Sequence, residues 1–343
     1  MTAATSPDLP PRILVVRFSS MGDIILTTPL IRALRARHPA ATITFLTKRS
    51  FAPLLADHPA LTDLVVLERG QSLVSLAGTL RARRFSHIVD LHGTLRARTL
   101  RLLVPGRWRG YRKRRIEREI LIVFKRNVYR DDVPEPERYF EAAEGLDVVP
   151  DGGPPEIYTS EAATARSMAW LAAAGLGEAR PLVTVAPGAA HFTKRWPVES
   201  WRRLVELLAE AGIDTAVVGG ADYAAECAVI AAAGAERAAS SAGRFGLQET
   251  AALLRRAAVS VSGDTGVMHM ATATRTPVVA LMGPTVAAFG FYPYRARARV
   301  LERDLPCRPC SRQGGARCPL GHHHCLREID PGTVAAAVRE FVG

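Results

Sequence analysis

The sequence predicts an α/β protein built from two doubly wound, Rossmann-like parallel sheets, and three observations carry that expectation. Short apolar, β-branched runs alternate with helical stretches, the pattern of parallel strands joined by crossover helices. The alternation halts at residues 147–160, with Gly152-Gly153-Pro154-Pro155 at their centre, and then begins again. In both halves the polar turns follow strands and open helices, where open α/β sheets bind their ligands. A length of 343 residues and a hydrophobic content of 48% suit a soluble, globular chain of about two domains. The expected division is a domain over 1–150, a second over 151–329, and a C-terminal helix over 330–343 that packs back across the hinge.

In the first half, strands are expected at 13–17, 42–47, 64–67 and 87–91, with helices at 24–37, 51–56 and 73–83. The loop after the first strand, Phe18-Ser19-Ser20-Met21-Gly22-Asp23, offers one glycine and no G-x-G-x-x-G, which argues against a nicotinamide enzyme. Asp23 stands at the carboxyl end of that strand. It is either a general base within reach of a substrate hydroxyl or the N-cap of the next helix. Asp90-Leu91-His92-Gly93-Thr94 repeats the arrangement after the fourth strand.

A basic segment follows. Arg96, Arg98, Arg101, Arg107, Arg109 and Arg112 lead into Lys113, Arg114, Arg115, Arg118, Lys125, Arg126 and Arg130, opposed locally by Glu117 and Glu119. With a formal net charge of +12, the chain seeks an anionic partner, a phosphorylated glycolipid, a membrane surface or nucleic acid. The plainer alternative is a solvated helix face. Trp108, Tyr111 and Phe124 lie among the cations, yet no nucleic-acid motif accompanies them, so a bulky anionic acceptor is the better partner. Residues 1–11 lack a basic n-region and no run reaches membrane-spanning length, so the expected location is cytoplasmic, peripheral to a membrane.

The second half opens with a helix over 161–174 and a strand over 182–186. That strand ends in Pro187-Gly188-Ala189-Ala190-His191-Phe192-Thr193-Lys194-Arg195-Trp196-Pro197, ahead of a helix over 198–211. A Lys in such a connection can neutralise a diphosphate, while two surface cations are the plainer reading. A strand at 215–218, Gly219-Gly220 and a helix carrying Asp222 and Glu226 come next. The run 257–261 is a buried strand by its β-branched content. Ser262-Gly263-Asp264-Thr265-Gly266 then turns into a helix through Val267, His269, Met270 and Ala271, closed by Pro277. Thr265 and Gly266 offer a hydroxyl and close backbone approach at a helix amino terminus, a cradle for phosphate; the alternative is an Asp N-cap with a packed His269. A last strand over 277–281 ends in Gly283-Pro284-Thr285.

Taken in this order and spacing, Arg17 through Asp23, Pro187-Gly188-Ala189 with Lys194-Arg195-Trp196-Pro197, and Gly263 through His269 with Gly283-Pro284-Thr285 resemble glycosyltransferase family 9. These are the bacterial lipopolysaccharide heptosyltransferases, and the likeness is greatest to their heptosyltransferase II branch. The resemblance covers nearly the whole chain. It implies a GT-B fold with a cleft between the domains and an inverting, metal-independent transfer from ADP-L-glycero-D-manno-heptose to the lipid A inner core. It further implies that Asp23 is the general base and that Lys194 contacts the donor diphosphate. Thr265 and Gly266 then cradle its phosphates and Asp264 holds its sugar, with Gly188 and His269 beside them. Asp222 or Glu226 would hold the ribose, although residues 219–226 depart from the pattern of the type I enzymes. Arg96, Arg98, Arg109 and Arg112 would bind the acceptor. A family 9 enzyme using another nucleotide sugar, or a non-catalytic protein binding polyanions or membranes, are the alternatives.

Four cysteines crowd one run, Cys307-Arg308-Pro309-Cys310, Cys318 and Cys325, with His322, His323 and His324. In a reducing compartment this predicts a structural zinc site that pins a loop near the cleft, with an iron–sulfur cluster, disulfides or free thiols as alternatives. Cys227, alone on its helix, is expected to be buried. No cofactor is expected for catalysis.

Overall fold

The structure is a computed structural model that describes residues 9–342; residues 1–8, part of the stretch read as lacking a signal peptide, and residue 343 lie outside the described residues. The chain forms two compact units. One runs to Arg112 and takes up Pro136–Gly153, and the other comprises Lys113–Glu135 and the chain from Pro154 onward. The basic segment is therefore shared between them, with its portion from Lys113 in the second unit.

The first unit contains β1 (Arg12–Val16), α1 (Met21–Ile25), α2 (Thr28–Arg37), β2 (Thr42–Lys48), β3 (Asp63–Leu67), α3 (Leu73–Ala82), β4 (His87–Asp90), α4 (Leu95–Leu103) and β5 (Arg107–Gly110). Its parallel sheet has the order β3-β2-β1-β4-β5. Central β1 is a continuous apolar run, Ile13 to Val16, because helices cover both of its faces. Its successors lie on opposite sides, β2 on one and β4 on the other, which makes the β1/β4 border a topological switch point.

Two expectations are corrected here. The helix at 24–37 is two helices: α1 begins three residues earlier, at Met21, and the chain bends through Leu26 and Thr27 before Pro29 in the first turn of α2. The helix at 51–56 is a 3₁₀ turn over Arg49–Leu54 with Pro53 inside it, where an α-helix would lose a backbone donor.

The chain then supplies α5 (Arg115–Phe124) to the second unit and re-enters the first through α6 (Glu135–Arg138). After Pro154 come α7 (Glu161–Ala173), β6 (Leu182–Ala186), α8 (Val198–Glu210), β7 (Asp214–Val217), α9 (Ala224–Ala232), β8 (Ala238–Ser240), α10 (Leu247–Arg256), β9 (Val259–Gly263), α11 (Gly266–Ala273), β10 (Val278–Met282), β11 (Ala298–Glu302), α12 (His324–Arg327) and α13 (Pro331–Val342). The second sheet is parallel, in the order β11-β10-β9-β6-β7-β8. Its switch point is the β6/β9 border. Trp201, Leu204, Val205 and Leu208 on α8 and Val334, Ala335, Ala337 and Val338 on α13 close one face of this sheet as a single core. Burying each such Leu or Val contributes about 1.5–3 kcal/mol, enough to seat the C-terminal helix on the second unit. Asp330 caps it, its Oδ2 accepting from Thr333 N–H at 2.8 Å. Among the described residues no helix is long and apolar enough to cross a membrane.

Candidate active site

In the first unit, the loop after β1 is built around Arg17. This side chain is buried, and it donates from Nε to the Ser19 carbonyl at 2.9 Å and from Nη1 to the Leu91 carbonyl in the loop after β4. Its Nη2 meets Asp23 Oδ1 at 2.6 Å. The other oxygen, Oδ2, accepts from Ser20 N–H at 3.0 Å and from Ser20 Oγ at 2.5 Å. Asp23 thus sits inside the first turn of α1, where a carboxylate also suits the helix dipole. Asp23 is not the N-cap, which is Ser20, but the N3 residue of a capping box that closes the helix start, and its side chain keeps 19% of its surface exposed. Burial pushes the Asp23 carboxyl up, but the Arg17 charge and the two Ser20 hydrogen bonds outweigh it and hold the pKa below the ordinary carboxylate value. Asp23 is therefore ionised at neutral pH.

Asp90 is spent on its own loop, its Oδ1 accepting from the N–H groups of His92 and Gly93, both at 2.9 Å. That turn sets His92 edge-on to Phe18, with ring centroids 5.3 Å apart. Arg96 lies over the other ring of this pair, its guanidinium 5.6 Å from the Phe18 centroid, so this arginine joins the Asp23 loop. Arg98, exposed on α4, does not. Arg109 on β5 pairs with Glu144 at 3.7 Å, and the backbone N–H of Arg112 donates to Glu141 at 2.8 Å. The Arg17 guanidinium, the hub of the loop, also lies 5.7 Å from the Tyr139 ring centroid. Its role was hidden in the sequence because its partners at Leu91 and Tyr139 lie far along the chain.

In the second unit, the loops after β6 and β9 meet across the switch point. Lys194 Nζ lies 2.7 Å from Asp264 Oδ2, and that oxygen also accepts from Thr285 Oγ1 at 2.7 Å. Both partners of the ion pair are largely buried. Gly263 permits the close approach of the two loops: a Cβ there would lie 3.0 Å from the Lys194 carbonyl oxygen. Thr265 precedes α11, with its hydroxyl 3.0 Å from Ser262 Oγ, and Gly266 begins the helix. The first N–H groups of α11 have no intrahelical acceptor, an arrangement of the kind that suits an anion. Gly188 is packed under Tyr223, since a Cβ there would fall 2.9 Å from that ring. Tyr223 Oη donates to the Ala189 carbonyl at 2.8 Å and Arg195 lies over its ring at 5.0 Å, which locks the loop. His269 is buried within α11; Asp222 is exposed, and Glu226 is half-buried in the first turn of α9.

The cysteine-rich segment supports this site from behind. Thr193 N–H donates to Gly315 O at 3.1 Å, Gly315 N–H donates back to Thr193 Oγ1 at 2.8 Å, and His323 Nε2 lies 3.1 Å from Thr193 O. Arg308 donates to Gly283 O at 2.6 Å and to Thr285 O at 2.8 Å, so it grips the loop that presents Thr285 to Asp264. The zinc expected on Cys307, Cys310, Cys318 and Cys325 finds no support in the arrangement. Among the described residues no group of three or more His, Cys, Asp or Glu side chains is placed to hold a metal ion. Cys325 is packed in the apolar core under α13, where burial, followed by the neighbouring Cys310, pushes its thiol up to about 11. Burial also raises Cys310, followed by its neighbours Cys307 and Cys318. Cys227 is fully buried, and that burial, with Glu226 beside it, moves its thiol up to about 12.

Two Rossmann-like parallel-sheet units, each with an ion pair at its switch point, have the architecture of the GT-B class of glycosyl-transferring enzymes. The family profile described as "Glycosyltransferase family 9 (heptosyltransferase)" matches residues 73–320. The chain belongs to glycosyltransferase family 9. It is 25% identical to lipopolysaccharide heptosyltransferase 2 of Escherichia coli, over 94% of this chain and 96% of that protein. It is 29% identical to lipopolysaccharide heptosyltransferase 1 of Pseudomonas aeruginosa, over 87% of this chain and 86% of that one. The solved structure of the E. coli ADP-heptose LPS heptosyltransferase II is similar with a TM-score of 0.75 at 26% identity, covering 96% of this chain and 98% of that one.

Proposed function

We propose that this chain acts in lipopolysaccharide core biosynthesis, moving heptose from ADP-L-glycero-D-manno-heptose to the lipid A inner core by an inverting displacement. The observation that carries the reading is the Lys194–Asp264–Thr285 constellation beside Thr265 at the β6/β9 switch point, in a family 9 chain. In the proposed reaction the acceptor hydroxyl oxygen bonds to the anomeric carbon as the bond from that carbon to the diphosphate oxygen breaks. The hydroxyl proton passes to Asp23 Oδ1, which retains a lone pair beyond the one used by Arg17, while Ser20 occupies both sites of Oδ2. A carboxylate of lowered pKa is a modest base, which suits a hydroxyl that becomes acidic only once its oxygen has bonded to carbon. Lys194 and the amino terminus of α11 take up the charge growing on ADP, and Asp264 holds the sugar. Gly188 and His269 line the donor side, and Asp222 or Glu226 receives the ribose hydroxyls. Arg96, with Arg98, Arg109 and Arg112, meets the phosphates of the acceptor. The protein works in the cytoplasm in peripheral contact with the inner membrane, where that acceptor is anchored. No cofactor takes part in the displacement.

The test combines two measurements. ADP release in the presence of a lipid A-core acceptor is expected from the wild type and lost in Asp23→Ala by about 10²–10⁴-fold, while ADP still binds. Lipooligosaccharide from a deletion strain is expected to end after its first heptose by mass analysis. A complete core in that strain overturns the assignment, and release with a different nucleotide sugar reassigns the donor.

A further inference from the structure

Helix α5 has its polarity inverted. Arg118 and Glu119 turn toward the rest of the second unit: the Arg118 guanidinium lies 5.2 Å from the Phe289 ring centroid and 5.8 Å from that of Phe291, and Glu119 pairs with Arg312. Leu121 is the only buried residue of this helix. The apolar residues face outward, with Ile116 71%, Val123 62% and Phe124 74% exposed. At 100° per residue these three fall in one sector with half-buried Ile120, an apolar stripe about as wide as the one a surface helix normally turns inward. Both ends of the helix are fixed by left-handed residues, Arg114 and Lys125. Lys125 Nζ is moored to the carbonyls of Cys307 at 2.9 Å and Pro309 at 2.5 Å.

We propose that α5 is a membrane-docking element, lying in the plane of an anionic bilayer with Ile116, Val123 and Phe124 at the level of the acyl chains. The charge around the stripe selects this occupant. Residues 113–130 carry seven cations against Glu117 and Glu119, and Arg115 at the start of the helix and Arg126 and Arg130 just past its end are exposed. A bilayer rich in anionic lipid satisfies both features at once, hydrocarbon for the stripe and headgroups for the arginines. A second copy of the chain would set like charges against each other, and nucleic acid offers nothing to the apolar side chains. Ten residues cannot span a bilayer, so the helix lies on it. The inference rests on the proposed lipid-anchored acceptor and names the element that brings the enzyme to it.

The test uses the full chain and vesicles that contain no acceptor, so it is independent of turnover. Sedimentation with vesicles of phosphatidylglycerol and phosphatidylethanolamine is expected to capture the wild type, and phosphatidylcholine vesicles are expected to capture little of it. Val123→Asp with Phe124→Asp is expected to lower partition by roughly tenfold or more, and Arg126→Glu with Arg130→Glu to remove the dependence on salt and anionic lipid. Circular dichroism, ADP binding and turnover of a soluble, deacylated acceptor are expected to stay at wild-type values in both variants. Equal capture by neutral and anionic vesicles, or wild-type partition of the Val123/Phe124 variant, overturns the proposal. So does a dimer in solution that this variant abolishes while vesicles capture no wild-type protein. Vesicle binding without heptose transfer would instead sink the proposed function and leave this inference standing.

Discussion

At the scale of single residues, the role proposed for Asp23 turns on how its carboxylate is held. Its carboxyl is partly buried, which alone would raise its pKa, and the Arg17 ion pair reverses the sign. A group with a depressed folded pKa stabilises the fold above its unfolded value and loses that contribution as pH falls through the folded one. The acid limb of kcat/KM is accordingly expected below the ordinary carboxylate range, where Asp23 takes up its proton. Arg17→Met removes the opposing charge and leaves burial in place. The limb is then expected to move up in pH, with ADP binding unaltered, because the proposed donor site lies in the second unit. A pH–rate profile that does not move in Arg17→Met would show that another group sets the limb. The proposed role of Lys194 differs in kind, since its charge acts on the donor whatever the protonation of Asp23.

At the scale of elements, the loops that carry these groups are only as fixed as what packs behind them. Arg308, with a side chain only 6% exposed, ties the Gly283 and Thr285 carbonyls to Glu302. Arg308→Met removes the donor from the carbonyls of Gly283, Thr285 and Arg303, each worth about 1–3 kcal/mol where it is buried, while exposed Glu302 keeps Tyr292. The expected outcome is a lower melting temperature and weaker ADP binding, by calorimetry, because Thr285 no longer steadies Asp264; unchanged ADP affinity would limit Arg308 to stability. How legible such elements are follows from their polarity. The buried runs at β1, β6, β9 and β10 announce themselves by continuous apolar, β-branched sequence. Edge strand β5, Arg-Trp-Arg-Gly, buries only Trp108, and β8 is Ala-Ala-Ser, so neither carries a periodic signal. The break between α1 and α2 was hidden because apolar spacing runs unbroken through it. Motif spacing reveals Asp23, Lys194 and Asp264 singly. Only folding shows that Lys194 and Asp264, 70 positions apart, form one ion pair, and that the cysteine run reaches their loops through Arg308 and Gly315.

At the scale of the whole molecule, the division into two units gives each substrate its own thermodynamic address. The proposed donor site lies entirely within the second unit, which also holds Trp170, Trp196 and Trp201, whereas Trp108 is in the first. In Trp108→Phe, tryptophan fluorescence therefore reports the second unit alone. ADP bound to that unit and not to the unfolded chain stabilises it by about 2.7 kcal/mol at a hundred times its Kd. For a unit of roughly 150–250 residues this corresponds to a rise of about 5–10 °C in the fluorescence melting point. Lys194→Met is expected to abolish most of the rise at the same ADP concentration, because the diphosphate loses its cation while the α11 amino terminus remains. UDP is expected to give a smaller shift than ADP if the base is read as well as the diphosphate. A full ADP shift in Lys194→Met would move the anion site away from the β6/β9 switch point, and with it the donor half of the proposed mechanism.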